Sequence, residues 1–131
     1  LFVAPLQEKY RISDRYGYRT HPISGERQFH AGLDMAAVYA ATVHAAASGT
    51  VTFAGETPGY GKTVVVTHRF GFQTRYAHLT LIYTRKGAKV EKGDVIGFVG
   101  STGISTGNHL HYEVIKNQKR INPLNFIYGT K

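Results

Sequence analysis

Short runs of β-branched and aromatic residues, each closed by glycine or another turn former, recur along this chain and restrict it to an all-β fold. The candidate strands are Gly49 to Ala54, Thr63 to His68, Gln73 to His78, Val95 to Gly100 and Leu110 to Ile115. Between the second and third, Arg69-Phe70-Gly71-Phe72 reads as a hairpin connection. The stretch Gly87 to Asp94 sets two turn glycines around one apolar anchor, and Ser101 to Asn108 is a Gly/Ser/Thr/Asn loop leading into the last strand. Residues 36–48 are open to two readings. Their alanines favour helix, whereas Val43 and the run into Ser48-Gly49-Thr50-Val51 suit a strand and turn. The first 28 residues hold two of the four prolines and the polar run Ser24-Gly25-Glu26-Arg27, so they read mainly as wrapping loops and an N-terminal arm. The core is expected over residues 29–126.

At 131 residues the chain is expected to form one domain, 1–131, large enough for a core without disulfide staples. It contains no cysteine, which fits a periplasmic or extracellular setting and means that a metal site must use histidine and carboxylate. Leu1 is not an initiator methionine, so a trimmed product is expected, with any signal peptide, anchor or pro-segment upstream. No apolar run approaches the ~20 residues of a membrane span. The net charge of +8 favours an anionic partner. Its cations are scattered, with no basic helix or nucleic-acid module, so an anionic polymer such as cell wall satisfies the same field.

The chemistry concentrates in His109-Leu110-His111-Tyr112-Glu113. As a strand, this segment points residues 109, 111, 113 and 115 to one face and Leu110, Tyr112 and Val114 to a core. Two imidazoles about 6–7 Å apart at Cα can then serve one centre, one binding a metal and the other moving protons. Upstream, His30-Ala31-Gly32-Leu33-Asp34 sets a histidine and a carboxylate four residues apart. On a straight strand they would stand ~13 Å apart, but a bend or bulge at Gly32 brings them together. With one histidine of the later pair they form a two-His, one-carboxylate set that leaves a fourth position open for water. His78, in Tyr76-Ala77-His78-Leu79 at the end of a predicted strand, is a further candidate for proton transfer or oxyanion stabilisation. His21, His44 and His68 read as loop, strand and hairpin-end residues.

Taken together, His30-x-x-x-Asp34, Tyr76-Ala77-His78-Leu79, the Gly-x-x-Val-x-x-Gly-Asp-x-Ile-Gly run from Gly87 to Gly97, Gly100-Ser101-Thr102-Gly103 and His109-Leu110-His111 resemble the lysostaphin-type zinc endopeptidases of bacterial cell wall. The similarity runs from about Ser13 to about Phe126. It implies an antiparallel sheet whose loops form a groove over one zinc ion, and it favours strand and turn over helix for Val43 to Thr50. It makes His30, Asp34 and His111 the metal ligands and His78 and His109 the catalytic histidines, with His109 preferred as base and His78 as oxyanion stabiliser. The segment Tyr16 to Gly25 looks like the subgroup of Gram-negative bacteria, which cuts D-alanyl–diaminopimelate cross-links and in some members trims terminal D-alanine. That subgroup implies a periplasmic or envelope location and peptidoglycan as partner. Arg19 is the candidate contact to a substrate carboxylate, and Tyr60 and Asn108 are candidate hydrogen-bond donors in the groove.

Other classes make different demands. The family's glycine-bridge cutters are the nearest enzymatic alternative, and no motif here directly excludes them. An inactive relative that binds wall or activates an amidase would lack ligands, whereas all five expected positions are present. A sugar-phosphotransferase barrel shares a histidine pair and glycine-rich strands, but has no use for His30 with Asp34 as a metal pair.

Overall fold

The computed structural model describes residues 2–127, and every strand pairing in it is antiparallel. The strands are β1 (Arg11–Asp14), β2 (Gly17–Thr20), β3 (Arg27–His30), β4 (Leu33–Ala36), β5 (Thr42–His44), β6 (Gly49–Thr57), β7 (Gly61–Thr67), β8 (Phe72–Ile82), β9 (Lys89–Val90), β10 (Val95–Val99), β11 (His109–Lys116) and β12 (Lys119–Ile121). Among the described residues the only helical element is one 3-10 turn, Pro123–Phe126. It is capped by Asn122, whose side chain accepts from the Leu124 amide. The all-β expectation holds. None of the described helices is long and apolar enough to cross a membrane.

The main sheet runs β1-β4-β11-β8-β7-β6-β9, with β12 added to β11 and β10 bridging β8 and β5. Central position explains the composition of β11, which lies between β4 and β8. Its Leu110, Tyr112 and Val114 are fully buried with Leu33 and Met35 of β4 and Tyr76 and Leu79 of β8. Burial of each large apolar side chain contributes roughly 1.5–3 kcal/mol, so this core fixes register as well as stability. On β4 the alternation buries Leu33 and Met35 and turns Asp34 to the opposite face.

All five sequence-predicted strands are present. The hairpin at Arg69–Phe72 turns through Phe70 and Gly71, both with positive φ, the geometry that matches strand twist. Residues 36–48 carry the short strand β5 and bends, with no helix. The N-terminal 28 residues depart from the wrapping-loop expectation. β1 pairs with β4, and β2 with β3 forms a separate two-stranded ribbon. These four-residue strands are largely exposed, so they carry no apolar signal and are held by pairing instead.

His78 also departs from expectation. It lies in the middle of β8 rather than at a strand end, at an extra residue where β7–β8 pairing shifts from Val64↔Tyr76 to Lys62↔Leu79. Its φ of 63° is rare for a residue with a side chain. Such a bulge re-aims a side chain, here out of the sheet alternation and into a cleft.

Candidate active site

Asp34 and His111 are direct cross-strand partners in the β4–β11 register. Nδ1 of His111 is 2.7 Å from Oδ1 of Asp34, and Nε2 of His30 is 3.2 Å from Oδ2. One potential ligand atom from each of the three residues lies within 4.8 Å of the others, close enough for one metal ion. The approach depends on Gly32. The chain bends at Gly32, as expected, without entering the left-handed region. A Cβ there would sit 2.7 Å from the Tyr112 carbonyl oxygen and 2.8 Å from Cε1 of His111. Close passage of the His30–Asp34 turn over β11 therefore requires the missing side chain.

His78 and His109 face each other beside this trio, their ring centroids 4.8 Å apart. Nε2 of His109 is 3.8 Å from Oδ1 of Asp34. His78 donates Nδ1–H to the Thr102 carbonyl at 2.7 Å, and its amide donates to the Tyr60 carbonyl at 2.8 Å. His109 donates Nδ1–H to the Gly107 carbonyl at 3.0 Å. His30 donates Nδ1–H to the Arg15 carbonyl at 2.9 Å. All four rings line one cleft of about 410 Å³ with Asp34, Tyr60 and the loop residues Ile104 to Thr106. That loop is clamped on the turn before β7. Gly103 has a φ of +75°, and a Cβ on it would meet the Gly61 nitrogen at 2.4 Å.

Electrostatics favour a cation among the trio. Burial works to raise the Asp34 pKa, but hydrogen bonds from His111 and His30 outweigh it and hold the carboxyl well below the usual range. Burial works to lower that of His111, but its bonds to Asp34 and Glu113 more than reverse this, to about 9. A proton thus sits where two carboxylates converge on one imidazole. Burial lowers His78, assisted by the charges of His109 and His111.

The sequence missed Glu113, which is fully buried beneath His111 and accepts from its Nε2 at 2.8 Å. Strand alternation from 109 and 111 already put it on the histidine face. Tyr60 lines the cleft, but its hydroxyl donates to Glu113 at 2.8 Å. Arg19 is exposed and ion-paired with Asp14. Asn108 is an exposed loop residue whose carbonyl accepts from the Ala37 amide. Neither lines the cleft of the histidines. Outside the cleft, His21 caps a turn, His44 bonds Gly93 and Thr42, and His68 bonds Ser48 and Thr74.

The sequence profile of Peptidase family M23 matches residues 28–123. The chain belongs to peptidase family M23. Over 120 residues the M23 domain is 48% identical to the DD-carboxypeptidase/endopeptidase Mpg of Neisseria meningitidis, a match covering 92% of this chain and 28% of that protein. It is 37% identical over 121 residues to the peptidoglycan DD-endopeptidase ShyA of Vibrio cholerae, with the same two coverages. The domain therefore spans a little over a quarter of either relative. Its fold superposes on the catalytic domain of the antimicrobial peptidase lysostaphin from Staphylococcus simulans with a TM-score of 0.80, at 30% identity over 89% of this chain and 91% of that domain. The lysostaphin-type resemblance of the motifs is thereby borne out.

Proposed function

We propose that the M23 domain is a zinc-dependent peptidoglycan hydrolase acting as a D,D-endopeptidase on D-alanyl–diaminopimelate cross-links, and also trimming terminal D-alanine. The observation that carries this reading is the convergence of His30, Asp34 and His111 beside His78 and His109 in one open cleft. The names of the Neisseria and Vibrio relatives support the bond type. The net charge of +8 suits an anionic wall polymer, and action on such a wall would be in the periplasm or envelope.

The donor set fits zinc. Two imidazole nitrogens and one carboxylate, with no thiolate, make the three-ligand set of hydrolytic zinc sites. The atoms that would ligate it are Nε2 of His30, a carboxylate oxygen of Asp34 and Nδ1 of His111, because the other ring nitrogens rest on the Arg15 carbonyl and on Glu113. Zinc bound there supplies Lewis acidity toward a scissile carbonyl and toward water.

The remaining work belongs to side chains. His109 keeps its Nδ1–H on the Gly107 carbonyl, so its neutral form presents an unprotonated Nε2 beside Asp34 and can accept a proton as general base. His78 is held by Thr102 in the same tautomer, so its Nε2 stabilises an oxyanion or protonates a leaving amine only as imidazolium. Arg19 would contact a substrate carboxylate by exchanging its Asp14 partner. Digestion of purified cross-linked muropeptides with and without a zinc chelator, with products identified by mass, tests the reading. Chelator-sensitive release of monomers cut after D-alanine is expected. Cleavage confined to glycine bridges would replace the bond assignment, and chelator-resistant or absent cleavage would remove the hydrolase reading.

A further inference from the structure

The four cleft histidines are not anchored alike. His30, His78 and His109 each use Nδ1–H on a main-chain carbonyl. His111 is turned the other way, with Nδ1 toward Asp34 and Nε2 on a side chain, Oε2 of Glu113. A carboxylate only accepts hydrogen bonds, so without a metal His111 donates from both nitrogens; were a cation to replace the Nδ1 hydrogen, the one left would be Nε2–H on Glu113, with the lone pair of Nδ1 free to ligate.

Glu113 has no solvent exposure, and a carboxylate buried that far is costly unless both oxygens are satisfied. They are. Oε2 accepts from His111 and from the Tyr60 hydroxyl, each at 2.8 Å. Oε1 accepts from Nε of Arg120 at 3.2 Å and faces Nε of Arg75 at 3.6 Å. Arg75 stacks over the Tyr60 ring, 4.7 Å from its centroid. Residues from the turn before β7, from β8 and from β12 thus hold one carboxylate under one imidazole.

We propose that Glu113 is the positioning residue of His111, fixing its tautomer and ring orientation so that Nδ1 is presented to a metal shared with His30 and Asp34, with Tyr60, Arg75 and Arg120 holding Glu113 in turn. This rests on the zinc-site reading above. Outer partners of this kind tune ligand basicity as well as geometry. If the cluster served the fold alone, its loss would lower the melting temperature and leave the metal site unchanged.

The test compares wild type, Glu113→Gln and Tyr60→Phe by zinc affinity in chelator competition, by the visible absorption of the cobalt-substituted protein, and by thermal melting. Glu113→Gln keeps size but loses charge and should weaken zinc by about 10- to 100-fold with an altered cobalt spectrum. Tyr60→Phe removes one of the two bonds at Oε2 and should weaken zinc by about 2- to 10-fold. If Glu113→Gln fails to fold, Tyr60→Phe decides. Zinc affinities within about twofold of wild type, with unchanged cobalt spectra, would overturn the role of Glu113 even if melting temperatures fall. A wild-type protein that takes up no zinc would instead overturn the metal reading itself, and this inference with it.

Discussion

Nδ1 of His111 lies 2.7 Å from Oδ1 of Asp34, although the two residues are 77 positions apart in the chain. They face each other on β4 and β11, and His30 joins them from the end of β3. With the proton on His111 removed, the same atoms would make the preorganised cation site of the proposed zinc reading. Asp34→Asn and His111→Ala are each expected to lower zinc affinity by more than ~100-fold, beyond the loss typical of an outer partner, and to abolish turnover. Metal content after gel filtration, read beside muropeptide cleavage, checks this. Stoichiometric zinc in either variant would remove these residues from the ligand set.

His78 and His109 should separate from the ligands in the same assay. In the proposed zinc reading neither would be needed to hold the ion, and each presents Nε2 to the cleft while Nδ1 rests on a carbonyl. Alanine at either position is expected to keep zinc bound while turnover falls about 100- to 10,000-fold, the range for loss of general acid–base catalysis. Retained turnover in one variant would assign the proton work to the other.

Much of this site was legible because strand alternation converts spacing into direction. His109 and His111 could be put on one face, and Leu110 and Tyr112 in the core, from their order alone. Glu113 followed from the same alternation, but its burial depends on Arg75, Arg120 and Tyr60, which arrive from other elements. The anchors at Arg15, Thr102 and Gly107 are main-chain carbonyls and leave no mark in residue identity. The bulge at His78 is a backbone conformation imposed by register between β7 and β8, so an ordinary strand was the natural expectation. β1 to β3 were hidden for another reason. Their side chains are mostly exposed, and the hydrophobic period that betrays a strand is absent there.

Gly32→Ala isolates the close approach beneath the site. The added methyl would meet the Tyr112 carbonyl at 2.7 Å, Cε1 of His111 at 2.8 Å and Cγ of Glu113 at 2.9 Å. Backbone on a central strand cannot yield cheaply, so a loss of about 1–3 kcal/mol is expected, as for overpacking elsewhere. Urea denaturation measures it. Because His111 is among the displaced groups, zinc affinity should fall as well. A variant equal to wild type in both would show that β11 can move aside.

Far from the cleft, a chain of hydrogen bonds running from the core to the surface predicts how stability responds to acid. The Ala46 amide donates to the Tyr76 hydroxyl, which donates to Thr74 Oγ1, which donates to Nε2 of His68, whose Nδ1–H reaches the Ser48 carbonyl. The direction is forced at both ends, because an amide only donates and a carbonyl only accepts. Neutral His68 satisfies every member. Protonation at Nε2 would put a second hydrogen against Thr74 and leave one donor of the chain unpaired. Burial accordingly lowers the His68 pKa in the folded state, with the Ser48 bond opposing it only in part. The unfolded chain holds its histidine near the ordinary value of about 6.5, so below that pH it binds more protons than the folded chain. The contribution is therefore complete above about pH 6.5 and is lost as pH falls through that value toward the lower folded one. Urea midpoints should drop between about pH 7 and about pH 5, a window of about two units around the free histidine value. His68→Gln should be less stable at neutral pH but show a shallower drop. An equal slope in the two proteins would assign the acid sensitivity to His78 instead, the other histidine whose pKa burial lowers.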